Sequence, residues 1–268
     1  MLTQAQVDQF DRDGFLRGGK VILDQRQLET LRGEMARVIA DRDDATKPQP
    51  VGISTWGAAE GRPVWQIINI YDASPSFREL ATHATIAEEV AQLARATELR
   101  IWHDQIQWKP ASTGGVNMWH QDSPYWPVLT PADLVTAWVA LDDVDADNGC
   151  MSMVPGSHRW GDTIDFLHTL KSFDAMPGEY QGNPVEVRRC PVRAGEVHYH
   201  HSLTWHGSHG NTSGRERRAL AIHFLQEHTR YVAEHGHPMK PFIASRDGEP
   251  VRGDRFPLVW RAGAACLA

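Results

Sequence analysis

Cysteine is scarce. Cys150, Cys190 and Cys266 are odd in number, far apart and without a Cys-x-x-Cys pair. That removes a disulfide framework and a thiolate zinc site from consideration, and leaves small buried hydrophobe as their role. No apolar run approaches the roughly 18 residues that span a bilayer, and the opening MLTQAQVDQFDRDGF lacks the basic and apolar regions of a secretory signal. The C-terminal Cys-Leu-Ala is no convincing peroxisomal signal, so a soluble, cytoplasmic protein is expected. Basic blocks are missing too: 27 Lys+Arg against 34 Asp+Glu give a formal charge of −7, which disfavours a nucleic-acid binder relying on positive charge. Internal repeats and low-complexity tracts are absent. What is present is a 268-residue chain, 41% hydrophobic and 23% charged, long enough for one elaborated domain over residues 1–268 with a sizeable core. It also has 14 histidines and 10 tryptophans, several of them gathered in two short segments.

Local patterns divide the chain. Thr3 with Gln6 reads as a capping box, and Val7 and Phe10 form an apolar face that Gly14 ends. Asp24 caps a second helix, with Gln27 three residues on and Leu28, Leu31, Met35, Val38 and Ile39 at helical spacing. Residues 41–63, rich in Pro, Gly and charge, read as a long surface loop. A strand over Val64–Ile70 precedes helical patterns at Ser76–Ala81 and Thr85–Ala96. After residue 98 the texture turns to β: Leu99–Trp108, Leu134–Leu141, Val185–Cys190, Glu196–Leu203 and Arg218–Leu225 are strands between Gly, Pro, Asn and Asp clusters. Many strands without alternating helices predict an antiparallel sandwich or barrel with the early helices packed outside. Residues 155–184 form a second long polar excursion.

The chemistry begins at Met118-Trp119-His120-Gln121-Asp122. In an extended backbone residues i and i+2 point to one side, so His120 and Asp122 can meet one ion. His-x-Asp occurs often by chance, and a third ligand is needed. Downstream, Trp205-His206-Gly207-Ser208 sits at the end of a strand, before a Gly- and Asn-rich turn. Two histidines and a carboxylate on a β scaffold make the facial triad of non-haem Fe(II) oxygenases, with positions open for cosubstrate and O₂. His198, His200, His201 and His209 compete with His206 for the third position, although base rates make each a hydrogen-bonded or surface side chain.

Several stretches together resemble the phytanoyl-CoA dioxygenase family of Fe(II)- and 2-oxoglutarate-dependent oxygenases: LTQAQVDQFDRDGFL, HDQIQWKP, WHQDSPYWP, TAWVALDDVDADNGCMSMVPGSH and HGSHGNTSGRERRAL. The resemblance implies a mainly β fold, a double-stranded β-helix (jelly roll, cupin-like) with N-terminal and flanking helices. The helical part would cover about 1–97, the jelly-roll core about 98–230 and a C-terminal extension about 231–268. It implies metal ligands at His120, Asp122 and His206, a salt bridge from Arg217 to 2-oxoglutarate, and further cosubstrate contacts at Gln105, Trp138 and Ser208, with Gln66 a less secure match. The cofactors implied are Fe(II), 2-oxoglutarate and O₂. Because Asp122 is present, whereas halogenating relatives have a small residue there, hydroxylation is favoured over chlorination, with desaturation or ring closure left open.

The residues speak to some of these assignments on their own. After the turn, Arg217, Ala219, Ala221 and His223 share one strand face, and Arg218, Leu220, Ile222 and Phe224 the other. Small alanines beside an Arg leave room for a ligand whose carboxylate the guanidinium fork could grip, although Arg215 and Arg218 are rivals. Ile101, His103, Gln105 and Gln107 alternate with Trp102, Asp104, Ile106 and Trp108, so one face is too polar for a dry core and lines a cavity or faces solvent. Trp138 shares a face with Thr136 and Ala140, as a core tryptophan would. Asn148-Gly149-Cys150 and Pro155-Gly156-Ser157-His158 read as structural turns. Trp119, Tyr125 and Trp126 either shape an aromatic substrate pocket or pack the barrel mouth.

The expected function is hydroxylation of an unactivated C–H bond in a small or medium-sized organic molecule, without a nucleic-acid or membrane partner. A 2-oxoglutarate-independent cupin-like metal enzyme and a non-catalytic small-molecule-binding jelly roll are the alternatives. Loops 41–63 and 155–184 are the expected specificity elements.

Overall fold

The computed structural model describes residues 1–263; Cys266 and the Cys-Leu-Ala terminus lie outside them. The two capping boxes form as the sequence predicts. Thr3 caps helix α1 (Gln4–Asp13), which ends at Gly14 in a left-handed conformation, and Asp24 caps α2 (Gln25–Ala40). Helices α3 (Pro75–Ala81) and α4 (Ala84–Ala94) follow.

The strands of the two main sheets are β1 (Phe15–Val21), β2 (Gly52–Trp56), β3 (Val64–Ile68), β4 (Glu98–Lys109), β5 (Asn117–His120), β6 (Val135–Ala140), β7 (Met151–Met153), β8 (Arg188–Cys190), β9 (Glu196–His201), β10 (His206–Ser208), β11 (Arg217–Gln226) and β12 (Leu258–Arg261). An eight-stranded sheet runs β1-β9-β6-β11-β4-β3-β2, with β12 also paired to β4. A second sheet runs β8-β7-β10-β5. The pairings within both are antiparallel. This is the jelly roll, and no helix among the described residues is long and apolar enough to cross a membrane.

The two faces of the large sheet have different tasks. Its outer face carries Leu220, Ile222 and Phe224 of β11 into one buried cluster with Phe10, Leu28, Leu31, Phe77, Ile86 and Val90 of the four helices. Side chains of this size contribute about 1.5–3 kcal/mol each when fully buried, so the helices are bound to the sheet by the face that strand alternation makes apolar. The inner face presents Trp138, Ala140, Ala219 and Ala221 to Met151 and Met153 of the small sheet and to Cys150 just before them. Cys150 and Cys190 are buried free thiols.

Three expectations need correction. The loop 41–63 contains β2, whose alternation is hidden by Gly52, Ser54 and Thr55 and whose side chains are mostly exposed. The excursion 155–184 contains a short helix, α5 (Ile164–Thr169). The simple alternation of β4 also breaks, because His223 pairs with His103 while Phe224 pairs with Ile101, leaving Trp102 as the extra residue of a bulge. Ile101 is thereby turned to the helical side, in the same cluster as Ile106, while His103 keeps facing inward. Strands β1, β5, β7, β10 and β12 also escaped the sequence reading; four of them have only three or four residues on which a period of two could register.

Candidate metal and cosubstrate site

The small sheet brings the first two imidazoles together. His120 ends β5, His206 begins β10, and the two are direct partners across the ladder, with ring centroids 4.1 Å apart. Asp122 arrives by a turn, not by strand alternation as the sequence suggested. Its backbone is helical, at φ −75° and ψ −48°, where it precedes a 3-10 turn over Ser123–Tyr125. Its N–H donates to the Ser202 carbonyl at 2.8 Å. The intervening Gln121 is fully buried. Its amide donates to the carbonyls of Gly161 and Leu203 at 2.8 and 2.7 Å, and its oxygen accepts the Thr163 N–H at 2.8 Å. Gln121 therefore pins the turn that aims Asp122 back at the histidines.

Ligand atoms of His120, Asp122 and His206 all lie within 4.8 Å of one another. His206 Nε2 is 3.6 Å and His120 Nε2 4.0 Å from Asp122 Oδ1. Each imidazole is oriented by its other nitrogen: His120 Nδ1 lies 2.7 Å from the Met118 carbonyl and His206 Nδ1 2.9 Å from the Thr204 carbonyl. A carbonyl only accepts, so Nδ1 carries the hydrogen in both rings and Nε2 presents its lone pair inward. The far carboxylate oxygen is held as well: His200 Nε2 donates to Asp122 Oδ2 at 2.9 Å and the Thr136 hydroxyl lies 3.3 Å from it.

Protonation states match this geometry. Burial alone would raise the Asp122 carboxyl, but the imidazoles of His206 and His200 overturn that and hold it well below the usual carboxylate range. Burial pushes both His120 and His206 down. Two neutral imidazoles and an ionised carboxylate, converging with one side open, are a donor set suited to ferrous iron. The sequence favours a hydrogen-bonded side chain over a ligand at His200, and the structure gives it that place, on Asp122. His200→Ala is expected to weaken divalent-metal binding about ten- to a hundredfold with little change in the circular dichroism spectrum. Unaltered affinity in a metal titration would remove that orienting role.

Behind the triad is an inner chamber lined by Gln105, Trp138, Ser208 and Arg217. Arg217 is buried, with its guanidinium 4.8 Å above the Trp138 ring and its Nε donating to the Gly149 carbonyl at 3.2 Å. Gly149 adopts φ +86°, and a Cβ there would lie 2.5 Å from the His209 carbonyl, so only glycine lets this turn approach. The two rival arginines are occupied elsewhere: Arg215 pairs with Asp145 on the surface, and Arg218 pairs with Asp142 at 2.8 Å. Burial lowers Arg217 to about 10, which leaves it a cation at neutral pH. The Ser208 hydroxyl belongs to the same wall.

The inner chamber meets an outer cleft of about 540 Å³ at His120 and Asp122. Gln105, Gln107 and His103 of β4 line this cleft, so the polar face of that strand borders a cavity. Gln66 lines the outer cleft and is absent from the inner lining. Tyr125 is half-exposed at the rim, where its hydroxyl is 3.0 Å from His168 Nε2, and Trp126 stands edge-on to His103 and His223. Trp119 reaches the cleft but is mainly packed on Phe173 at 4.7 Å. Trp56 from loop 41–63 and His168 from segment 155–184 add walls, as does His237 from the C-terminal extension.

The sequence reading passed over Thr136, His237 and Lys109. The last shares a strand face with Gln105 and Gln107, and that polar face was the signal available for it.

Residues 10–219 match the family described as phytanoyl-CoA dioxygenase (PhyH). The chain is similar to the phytanoyl-CoA dioxygenase domain-containing protein 1 homolog of Caenorhabditis briggsae, at 24% identity over 262 residues that cover 81% of this chain and 89% of that one. Its fold is similar to the non-heme alpha ketoglutarate dependent carbocyclase SnoK from nogalamycin biosynthesis, with a TM-score of 0.76, 25% identity and 97% of each chain covered. It is likewise similar to the epimerase SnoN in complex with Fe3+, alpha ketoglutarate and nogalamycin RO, with a TM-score of 0.73, 25% identity, and 96% of this chain and 98% of that one covered. The chain belongs to the phytanoyl-CoA dioxygenase family, and it is a non-haem iron- and 2-oxoglutarate-dependent oxygenase.

Proposed function

We propose that the protein hydroxylates an unactivated C–H bond of an uncharged, medium-sized organic molecule, with His120, Asp122 and His206 as the iron ligands. One observation carries the reading: the triad lies where an inner chamber lined by Arg217 meets a cleft whose described lining contains neither lysine nor arginine. The chamber suits a keto acid with a second carboxylate for the guanidinium fork. The cleft suits a substrate gripped by neutral donors and aromatic walls, and its volume lies in the range of small-molecule sites.

With ferrous iron bound, O₂ would supply the oxidising power for an unactivated C–H bond: one oxygen atom would go to 2-oxoglutarate, which leaves as succinate and carbon dioxide, and the other to the substrate carbon. The protein's own residues provide placement. Arg217, Trp138, Gln105 and Ser208 would hold the cosubstrate's far end. His200 and Thr136 keep Asp122 aimed at the iron position. His103, His223 and His237 surround the inner part of the cleft; burial is the first cause lowering each, holding His103 well below the usual imidazole range and bringing His223 and His237 to about 4. They are neutral near pH 7 and offer hydrogen bonds without charge. Trp126 and Tyr125 give the cleft an aromatic wall on that side.

A phosphate-rich coenzyme A ester finds no cation in this lining, so phytanoyl-CoA is expected to leave succinate formation by the Fe(II)-loaded protein at its unstimulated rate. A panel of neutral polycyclic and glycosylated metabolites is expected to contain stimulating compounds whose products carry one oxygen atom from ¹⁸O₂. Stimulation confined to acyl-CoA esters would overturn the substrate class. The likeness to a carbocyclase and an epimerase supports a second outcome at the same site, oxidation of a substrate C–H bond without oxygen transfer, and unlabelled product would select it.

A further inference from the structure

Lys109 ends β4 directly across the ladder from Arg217, and its side chain is fully buried, at 0% exposure. All three of its hydrogen bonds go to one short segment: Nζ donates to the Ser208 carbonyl at 3.1 Å, to Ser208 Oγ at 2.6 Å and to the His209 carbonyl at 2.5 Å. Space has been cleared for its stem. A Cβ on Gly114 would lie 2.5 Å from Lys109 Cβ, and one on Gly149 would lie 3.4 Å from Lys109 Cδ. Asn211 secures the backbone here by donating to the Lys109 carbonyl at 3.1 Å.

Two buried cations thus stand side by side, and among the described residues neither forms an ion pair with a carboxylate. Arg217 spends only its Nε on the protein, on the Gly149 carbonyl, and its guanidinium borders the inner chamber. Buried charges without counter-charges are costly, and backbone carbonyls offset only part of the cost. Basic side chains without counter-charges beside a chamber are the arrangement expected where an anion enters. Burial first, and then the neighbouring guanidinium, push the Lys109 ammonium well below its ordinary range, and an anion entering the chamber would favour its charged form again.

We propose that Lys109 is a positioning residue for the far carboxylate of the cosubstrate, fixing the Ser208 hydroxyl beside Arg217 and supplying the second positive charge of the chamber. This rests on the reading of the chamber as the 2-oxoglutarate site. The ammonium itself contacts Ser208 and His209, so its effect on the ligand passes through Ser208 and through its electric field.

The test is calorimetric titration of the anaerobic Fe(II)-loaded protein with 2-oxoglutarate, and with 2-oxobutyrate, which has the same keto-acid head but no far carboxylate. Lys109→Met is expected to raise the Kd for 2-oxoglutarate about ten- to a hundredfold, the scale of a neighbouring charge acting through a partly screened interior, and to leave 2-oxobutyrate nearly unchanged. Lys109→Gln, which keeps a donor for Ser208 while removing the charge, is expected to show the same selective loss and provides the measurement if the Met variant does not fold. Wild-type affinity for 2-oxoglutarate in Lys109→Gln, or equal losses for both keto acids, overturns the assignment. Failure of the unmodified protein to bind 2-oxoglutarate at all overturns the chamber's reading instead.

Discussion

Asp122→Ala is expected to reduce conversion of 2-oxoglutarate to succinate to the level of a metal-free blank. The loss should exceed the ten- to hundredfold typical of removing a residue that only orients a ligand, because Asp122 is the sole carboxylate of the three-residue cluster. The backbone turn should survive, since the Asp122 N–H and the Gln121 side chain hold it rather than the carboxylate. His200 would lose its acceptor at a cost of about 1–3 kcal/mol, so the variant should melt earlier and still fold. Succinate measured by chromatography, beside iron content and a thermal melt, separates loss of the metal from loss of structure. Undiminished succinate formation by a folded variant would remove His120, Asp122 and His206 from the mechanism.

Arg217→Ala is expected to raise the concentration of 2-oxoglutarate needed for half-maximal turnover by about one and a half to three and a half orders of magnitude. Truncating one partner of a buried hydrogen-bonded charge pair costs about 2–5 kcal/mol, and about 1.4 kcal/mol is tenfold in affinity. The Fe(II) requirement should hardly change, because Arg217 belongs to the inner lining and not to the ligand cluster. The control variants are informative here. Arg215 and Arg218 are engaged by Asp145 and Asp142, so their replacement should leave cosubstrate affinity alone. An Arg217→Ala protein with normal 2-oxoglutarate dependence, and a defect in one of those two, would reassign the cosubstrate anchor.

Much of this was legible before any coordinates. The helices α1 and α2 announced themselves because their caps are chemical signals local to four residues, Thr3 with Gln6 and Asp24 with Gln27. The inward face of β11 was legible because Arg217, Ala219, Ala221 and His223 contrast with Leu220, Ile222 and Phe224. The small sheet was less so. Strands as short as Met151–Met153 and His206–Ser208 carry too few residues for a pattern, and only their neighbours across space define them. The bulge at Trp102 was hidden for a related reason, since an extra residue is visible only against its partner strand. At the site, His120 and Asp122 stood out as His-x-Asp, whereas only the family resemblance separated His206 from the histidines around it, and the supports of Asp122 did not stand out. His200 and Thr136 lie on strands remote in sequence, and histidine or threonine in a buried strand has many ordinary uses.

The origin of the cleft's walls bears on how such a protein could change its substrate. Trp56, His168 and His237 come from three separate excursions of the chain, none of them in the strands that carry His120, His206 or Arg217. Grafting those three excursions from a relative would exchange the mouth of the enzyme while its oxidising engine stayed in place. Selection could likewise act on the two separately, and a wide range of acceptors would then require little innovation in the metal-bearing frame.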